Sequence, residues 1–368
     1  MGNSSDEKPD QVYVTDCEGP ISKNDNAFEI AKKFLPAGGE LFTLLSQYDD
    51  VKSKIIQNDG YDAGSTLKFI LPFLKAYGVD DDELLKFSQE NISIVSGAGE
   101  SLDYINSVMP IFVVSTSYNY YIDALCKKFD FSFERTYSTE VSLDDYSLEK
   151  GEKSELIDFR EKIGELNRIN FSPNAENLND LSVESQETIR KLDEIFERRL
   201  PDLKIGNILE GVKPVGGRQK AESIREISRD SGVDYGDMVY VGDSITDVEA
   251  FQTLQEGGGL TISFNGNKYA VENAEVIVAS ENVFVISLLT YFFKKYGREK
   301  TLALVKSWSY EKIDELCNDE GLKDRINQIY SEGLPLVATK SENDVGKLVE
   351  RNSYFRKKVR GKERGELG

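Results

Sequence analysis

The 368-residue chain contains no histidine. Histidine triads, histidine general bases and histidine-containing zinc sites are therefore excluded, and proton transfer falls to Asp, Glu, Lys, Cys or Tyr. Cysteine is scarce: Cys17, Cys126 and Cys317 lie far apart and form no CxxC pair. Neither a disulfide framework nor a thiolate metal site is expected, and a reducing compartment is the simplest setting. Long apolar runs are missing too. The longest, VFVISLLTYFF over residues 283–293, is too short to span a bilayer and reads as a buried helix. The opening MGNSSDEKPD is polar, lacks an apolar signal core, and places Asp6 where an N-myristoylation pattern wants Ser or Thr. Basic residues are outnumbered: 45 Lys and Arg face 65 Asp and Glu, a formal net charge of -20. That balance argues against nucleic acid and against anionic membranes, and it fits a soluble cytoplasmic protein.

Four short apolar segments run into polar loops: Val12 to Thr15, Ile111 to Val114, Met238 to Val241 and Leu260 to Phe264. Helical patterns separate them, over residues 119–129 and 219–230. This alternation predicts an α/β chain with a Rossmann-like parallel sheet, in which ligands sit at the carboxyl ends of the strands. Residues 21–107 read as a mainly helical cap inserted after the first strand. Asp80 and Glu83 mark one helix start there, and Pro72 lies inside a helix or splits it. Residues 146–204 form a second, charged helical insertion, with Ile189, Leu192, Ile195, Phe196 and Leu200 on one face. FSPNAENLNDLS (171–182) is a loop by composition. Residues 281–368 read as helical to the end. Their basic tail, residues 351–368, is expected to be a solvated end, with contact to a protein partner as the alternative.

Four short motifs carry the chemistry. The first strand ends in VYVTDCEGP, with Asp16 and Glu18 one residue apart. Solvated acids capping a strand and a metal-assisted nucleophile both explain such a pair. The second strand ends in Ser115-Thr116-Ser117, where hydroxyls and amides can cradle phosphate or cap a helix. In GGRQKAESIREI, Lys220 opens an amphipathic helix at its positive end, a mild cost that invites a nearby anion. An exposed surface lysine is the plain alternative. The third strand runs into GDSITD, where Gly242 permits a tight turn and Asp243 and Asp247 follow four apart. Hard oxygen ligands from two strand tips suit Mg2+.

Together and in this order, Asp-x-Glu, Ser/Thr, Lys and Gly-Asp-x-x-x-Asp resemble the haloacid dehalogenase (HAD) superfamily of phosphatases. GVDYGDMVYVGDSITDVEAF, GGLTISFNGNKYAVENAEVIV and KFDFSFERTYSTEVSLD are similar to segments of its phosphoserine-phosphatase-like members. The resemblance covers residues 11–20, 108–145 and 205–280, the expected catalytic core, and reaches the cap by position and helical character only. The chain as a whole is similar to an uncharacterised archaeal HAD group reported near energy-converting hydrogenase genes.

The resemblance implies that Asp16 is the nucleophile, forming an aspartyl-phosphate, and that Glu18 is the acid and base. It implies Mg2+ between Asp16, the Glu18 carbonyl and Asp243, with Asp247 holding Lys220 or a metal-bound water. Ser115, the Thr116 amide and Gly19 would bind phosphate, and Lys220 would neutralise developing charge. Pro20 departs from the usual Thr or Val and removes a backbone donor. Cys17, between the two acids, is expected to point away from them. The implied activity is Mg2+-dependent hydrolysis of a small phosphorylated metabolite, with no nucleic-acid or membrane partner. The competing function is a HAD-like binding or assembly subunit, using the insertion or C-terminal region for partner contacts.

Overall fold

The structure, a computed structural model, describes residues 9–56, 61, 63–170, 175 and 177–365. The polar opening up to residue 8, residues 171–174 and 176 of the expected loop, and the last three residues of the basic tail lie outside the described residues.

Seven strands form one sheet in the order β3-β2-β1-β4-β5-β6-β7. They are β1 (Val12–Thr15), β2 (Ile111–Tyr118), β3 (Thr136–Thr139), β4 (Met238–Gly242), β5 (Leu260–Phe264), β6 (Val276–Ala279) and β7 (Leu336–Thr339). The four predicted strands are therefore present, flanked by three others of four residues each. β1 to β6 pair in parallel, and β7 joins β6 antiparallel. The strand order reverses beside β1, between β2 and β4, which opens the ligand crevice of an α/β sheet at their carboxyl ends. The expectation of a helical chain from residue 281 onward is corrected at β7. LVAT is short, and only pairing with β6 gives it partners for its backbone.

Both sheet faces are covered, so strand residues are buried whichever way they point. Val12 and Val14 pack with Ile224, Ile227, Phe251 and Leu254 on one side. Tyr13, Val113 and Val241 pack with Ile105, Ile122 and Leu289 on the other. The apolar run at residues 283–293 supplies much of that second cluster. It belongs to the helix Val285–Lys306, and no described helix is long and apolar enough to cross a membrane. The helix Ala98–Val108 packs in the same cluster, on the sheet side.

A third cluster lies off the sheet. It joins the helices Asn26–Phe34, Gly38–Val51, Thr66–Ala76 and Asp81–Glu90 to the insertion helices Glu152–Gly164 and Val183–Asp193. Asp80 caps its helix by accepting from the Glu83 N–H at 2.9 Å, as the acids at that start predict. Pro72 sits inside a continuous helix, Thr66–Ala76. The insertion's apolar face is buried against the cap. Ring centroids of Phe196 and Phe69 are 4.6 Å apart, and Tyr48 donates to Asp193 Oδ1 at 2.6 Å. Removing the Phe196 ring would cost about 3–5 kcal/mol by the usual scale of core truncation.

Candidate active site

β1 delivers Asp16 one residue and Glu18 three residues past its buried end, because the parallel pairing with β2 and β4 stops there and the chain must turn. The turn closes on one carbonyl: the N–H groups of Ile21 and Ser22 both reach the Cys17 oxygen at 2.9 Å. Pro20 thus costs this turn no donor that it uses. Gly19 adopts φ +100°, and a Cβ there would lie 2.2 Å from Asp243 Oδ2. Glycine is required by both its torsion and the close approach of the β4 tip. Cys17 faces an apolar pocket with Ile21, Leu102 and Ile122, away from the acids.

Lys220 is in the first turn of the helix Gly217–Ser231 and is fully buried. Its Nζ lies 2.7 Å from Asp16 Oδ2 and 2.8 Å from Asp247 Oδ1. The anions that its unfavourable place at a helix start invited are these two carboxylates. Burial opposes its charge, but Asp16 and then Asp247 outweigh burial and hold its pKa well above the usual lysine range. Asp247 is fixed further. Tyr240 donates to its Oδ1 at 2.7 Å, and the N–H groups of Asp243 and Ser244 donate to Oδ2 at 2.8 and 2.9 Å. Burial pushes Asp247 up, yet Lys220 and these hydrogen bonds leave it below the ordinary value.

Asp16 keeps a contrary balance. Burial, the largest influence, lifts it to about 7 against the pull of Lys220, and Asp247 and Asp243 add to the rise. Its Oδ1 accepts from the Cys17 N–H at 2.6 Å. Asp16, Asp243 and Asp247 each place a carboxylate oxygen within 4.8 Å of the others, all three buried. Clustered hard oxygens of this kind fit a divalent cation such as Mg2+. Asp247 already accepts from Lys220 and four other donors and does not line the cavity, so Asp16 and Asp243, which do, are the carboxylates suited to direct ligation.

Glu18 lines the same cavity. Its Oε1 accepts from Ser117 Oγ at 2.7 Å and from the Asn26 N–H at 2.8 Å. Lost hydration, and next the charge of Asp25, push it up to about 8; Arg360 pulls the other way. Its carboxyl therefore holds a proton to higher pH than an ordinary glutamate does. Thr116 lines the cavity, but its hydroxyl donates to the Val215 carbonyl at 3.0 Å. Ser115 is fully buried beneath it, with its Oγ accepting from the Ser117 N–H at 3.2 Å.

The cavity holds about 110 Å³ between sheet and cap, with Phe42, Ser46, Thr66 and Leu67 on the cap side. Cap and core approach closely: a Cβ on Gly216 would strike the Ala63 carbonyl at 1.7 Å. Asp49, also on the wall, is a brace for the cap, accepting from the N–H groups of Gly64 and Thr66 at 3.0 Å each.

Sequence reading missed three participants. Ser117 lies in the Ser115-Thr116-Ser117 motif, and it lines the cavity with Thr116 where the register of β2 is irregular, while Ser115 does not. Arg356 and Arg360 are a correction. The basic tail was expected to be solvated, but residues 345–360 form a helix whose two arginines are buried. Arg356 Nη1 donates to the Asp243 carbonyl at 3.0 Å and also reaches Oδ2, and Arg360 Nη1 reaches Oδ2 at 3.1 Å. The acid cluster draws them inward.

Four motifs thus meet at the carboxyl ends of β1, β2 and β4, with Lys220 bridging Asp16 and Asp247. The chain has an α/β fold built on a mostly parallel seven-stranded sheet. The structure of gene product AF1437 from Archaeoglobus fulgidus is similar over nearly its whole length: 26% identity, 97% of this chain and 99% of that one, TM-score 0.79. Phosphoserine phosphatases align more loosely. The apo form gives 15% identity, 75% and 96% coverage and TM-score 0.41. The substrate-bound form gives 16%, 77% and 99%, and 0.44. No protein-family profile and no curated protein matches the chain.

Proposed function

We propose that the protein is a Mg2+-dependent phosphomonoesterase acting on a small phosphorylated metabolite through an aspartyl-phosphate. The observation that carries this reading is Lys220 held, fully buried, between Asp16 and Asp247, with Asp16, Glu18 and Asp243 lining one cavity. A structural ion pair would need Lys220 and one acid. It would not need a second strand-tip acid within 4.8 Å and a further glutamate facing the cavity.

Asp16 attacks phosphorus, and the bond from phosphorus to the ester oxygen breaks. Glu18, oriented by Ser117 and the Asn26 N–H, gives its proton to the departing oxygen. As a carboxylate it then takes a proton from water, which attacks the phosphoryl group and releases phosphate and free Asp16. Lys220 and the β2 end, with Ser115 and the Thr116 amide, hold the phosphoryl oxygens. Lys220 is fixed before substrate arrives, so its charge needs no reorganisation. Asp16 and Asp243 would hold Mg2+, whose chemistry is to neutralise charge between the nucleophile and a phosphate dianion. A cavity of about 110 Å³ is below the usual range for drug-sized ligands, which favours a small substrate and a cap that opens to admit it.

The test is phosphate release from p-nitrophenyl phosphate and a panel of small phosphate esters. Turnover should require Mg2+, vanish with EDTA and be absent in folded Asp16→Asn protein. Turnover by Asp16→Asn at the wild-type rate would overturn the mechanism.

A further inference from the structure

The C-terminal helix Val345–Arg360 buries one stripe of residues spaced four apart: Leu348, Asn352, Arg356 and Arg360. Leu348 packs on the sheet cluster, and Asn352 is fully buried, accepting from the Gly266 N–H at 3.2 Å. These anchors fix the next two turns over the tip of β4. Arg356 is 3% exposed and Arg360 is 5% exposed. Both place Nη1 on Asp243 Oδ2, and Arg360 Nη2 also donates to the Asn24 carbonyl at 2.8 Å, in the segment linking β1 to the cap.

Among the side chains in direct contact here the charges then balance without a cation, and Glu18 and Asp25 line the same cavity beyond that contact cluster. Asp16, Asp243 and Asp247 supply three negative charges. Lys220, Arg356 and Arg360 supply three positive ones, each in direct contact with at least one of those acids. The arginines give Asp243 the two charges that a divalent metal would bring. A divalent cation entering alone adds two positive charges to this contact cluster, beside two arginines, which is costly at low dielectric. A phosphate dianion arriving with the cation restores neutrality.

Building on the phosphatase reading above, we propose that Arg356 and Arg360 are positioning residues that make cation and phosphate bind as a pair. They keep Asp243 neutralised, weaken binding of a divalent cation by itself, and favour it when a phosphoryl dianion is present. Because coupling is reciprocal, the cation tightens phosphate by the same factor. The consequence is that the nucleophile is armed only with substrate in place.

The experiment follows free Mn2+ by electron paramagnetic resonance during titration of the full chain, with and without inorganic phosphate. Wild type should bind Mn2+ weakly alone and roughly ten- to a hundredfold more tightly with phosphate, the range expected for one or two nearby charges. Arg356→Met and Arg360→Met should bind Mn2+ alone about tenfold more tightly than wild type and lose most of the phosphate effect. Arg356→Lys, which keeps the charge, should return to wild-type behaviour, a rescue that a merely structural role would not give. Circular dichroism establishes folding; Arg356→Gln, which keeps a donor for the Asp243 carbonyl, replaces a methionine variant that fails to fold. Met or Gln variants that bind Mn2+ no more tightly than wild type would overturn the coupling. Asp243→Asn separates the two readings. If it abolishes Mn2+ binding while the arginine variants change nothing, the coupling alone falls. If it leaves Mn2+ binding unchanged, the cation is elsewhere and the phosphatase reading falls with it.

Discussion

Two cationic arms reach the same acid cluster by different routes. Lys220 comes from inside the α/β core, one turn into a helix that follows a glycine pair, and it bridges Asp16 and Asp247. Arg356 and Arg360 come from the far end of the chain and meet on Asp243. The first arm is shared between two acids and has no substitute. The second is a pair on one acid, so either member leaves a partner behind. On the proposed phosphatase reading, that difference would assign Lys220 to the chemistry and the arginines to the conditions under which it runs.

The largest expected effect comes from removing the arm without a substitute. Lys220→Met leaves Asp16 and Asp247 buried and unpaired. Urea denaturation at pH 7 should show a loss of about 3–5 kcal/mol, the usual scale for breaking a buried pair from one side. Asp16 already has a raised pKa, so it can take a proton as pH falls. The loss should therefore shrink between pH 8 and pH 5. Arg356→Met should cost clearly less, because Arg360 stays on Asp243. Equal losses would erase the distinction between the arms.

A smaller effect sharpens the role of Glu18, the acid that neither arm contacts directly. Asp25 raises its pKa, and Asp25→Asn removes that charge while keeping a side chain able to accept from the Phe28 N–H, now 3.0 Å from Asp25 Oδ1. Glu18 must be protonated to act, so activity should fall as pH rises through its pKa, about 8 in the wild type. In Asp25→Asn that alkaline limb should move to lower pH, read from kcat/KM against pH with an alkyl phosphate. A limb that stays put, or moves upward, would remove Glu18 from the acid role.

The same contrast explains what could be read from sequence. The Lys220 arm was legible because each of its parts is local: a strand end, a turn, an acid at fixed spacing. The four strands that carry the motifs were legible for the same reason. The arginine arm was hidden because RKKVRGKERG is basic throughout, and composition does not say which two side chains turn inward. The spacing of Leu348, Asn352, Arg356 and Arg360 was the signal, but two of the four are arginines and so broke the apolar pattern. β7 was missed because LVAT is four residues long and pairs antiparallel at an edge. The helical face at Ile189 to Leu200 announced burial, yet nothing in it named the cap as its partner.

The central claim is that Asp16 carries the phosphoryl group and Glu18 serves both halves of the reaction. Glu18→Gln should lose about 10²–10⁴-fold in turnover of an alkyl phosphate, whose oxygen leaves badly without a proton. With p-nitrophenyl phosphate, whose phenolate leaves easily, this variant should still give a burst of p-nitrophenol and then stall with phosphate on the enzyme. Borohydride reduction of the stalled protein, followed by peptide mass spectrometry, reads the position directly. The account predicts homoserine at position 16. Homoserine at any other aspartate, or a burst with no reducible acyl-phosphate, would contradict it.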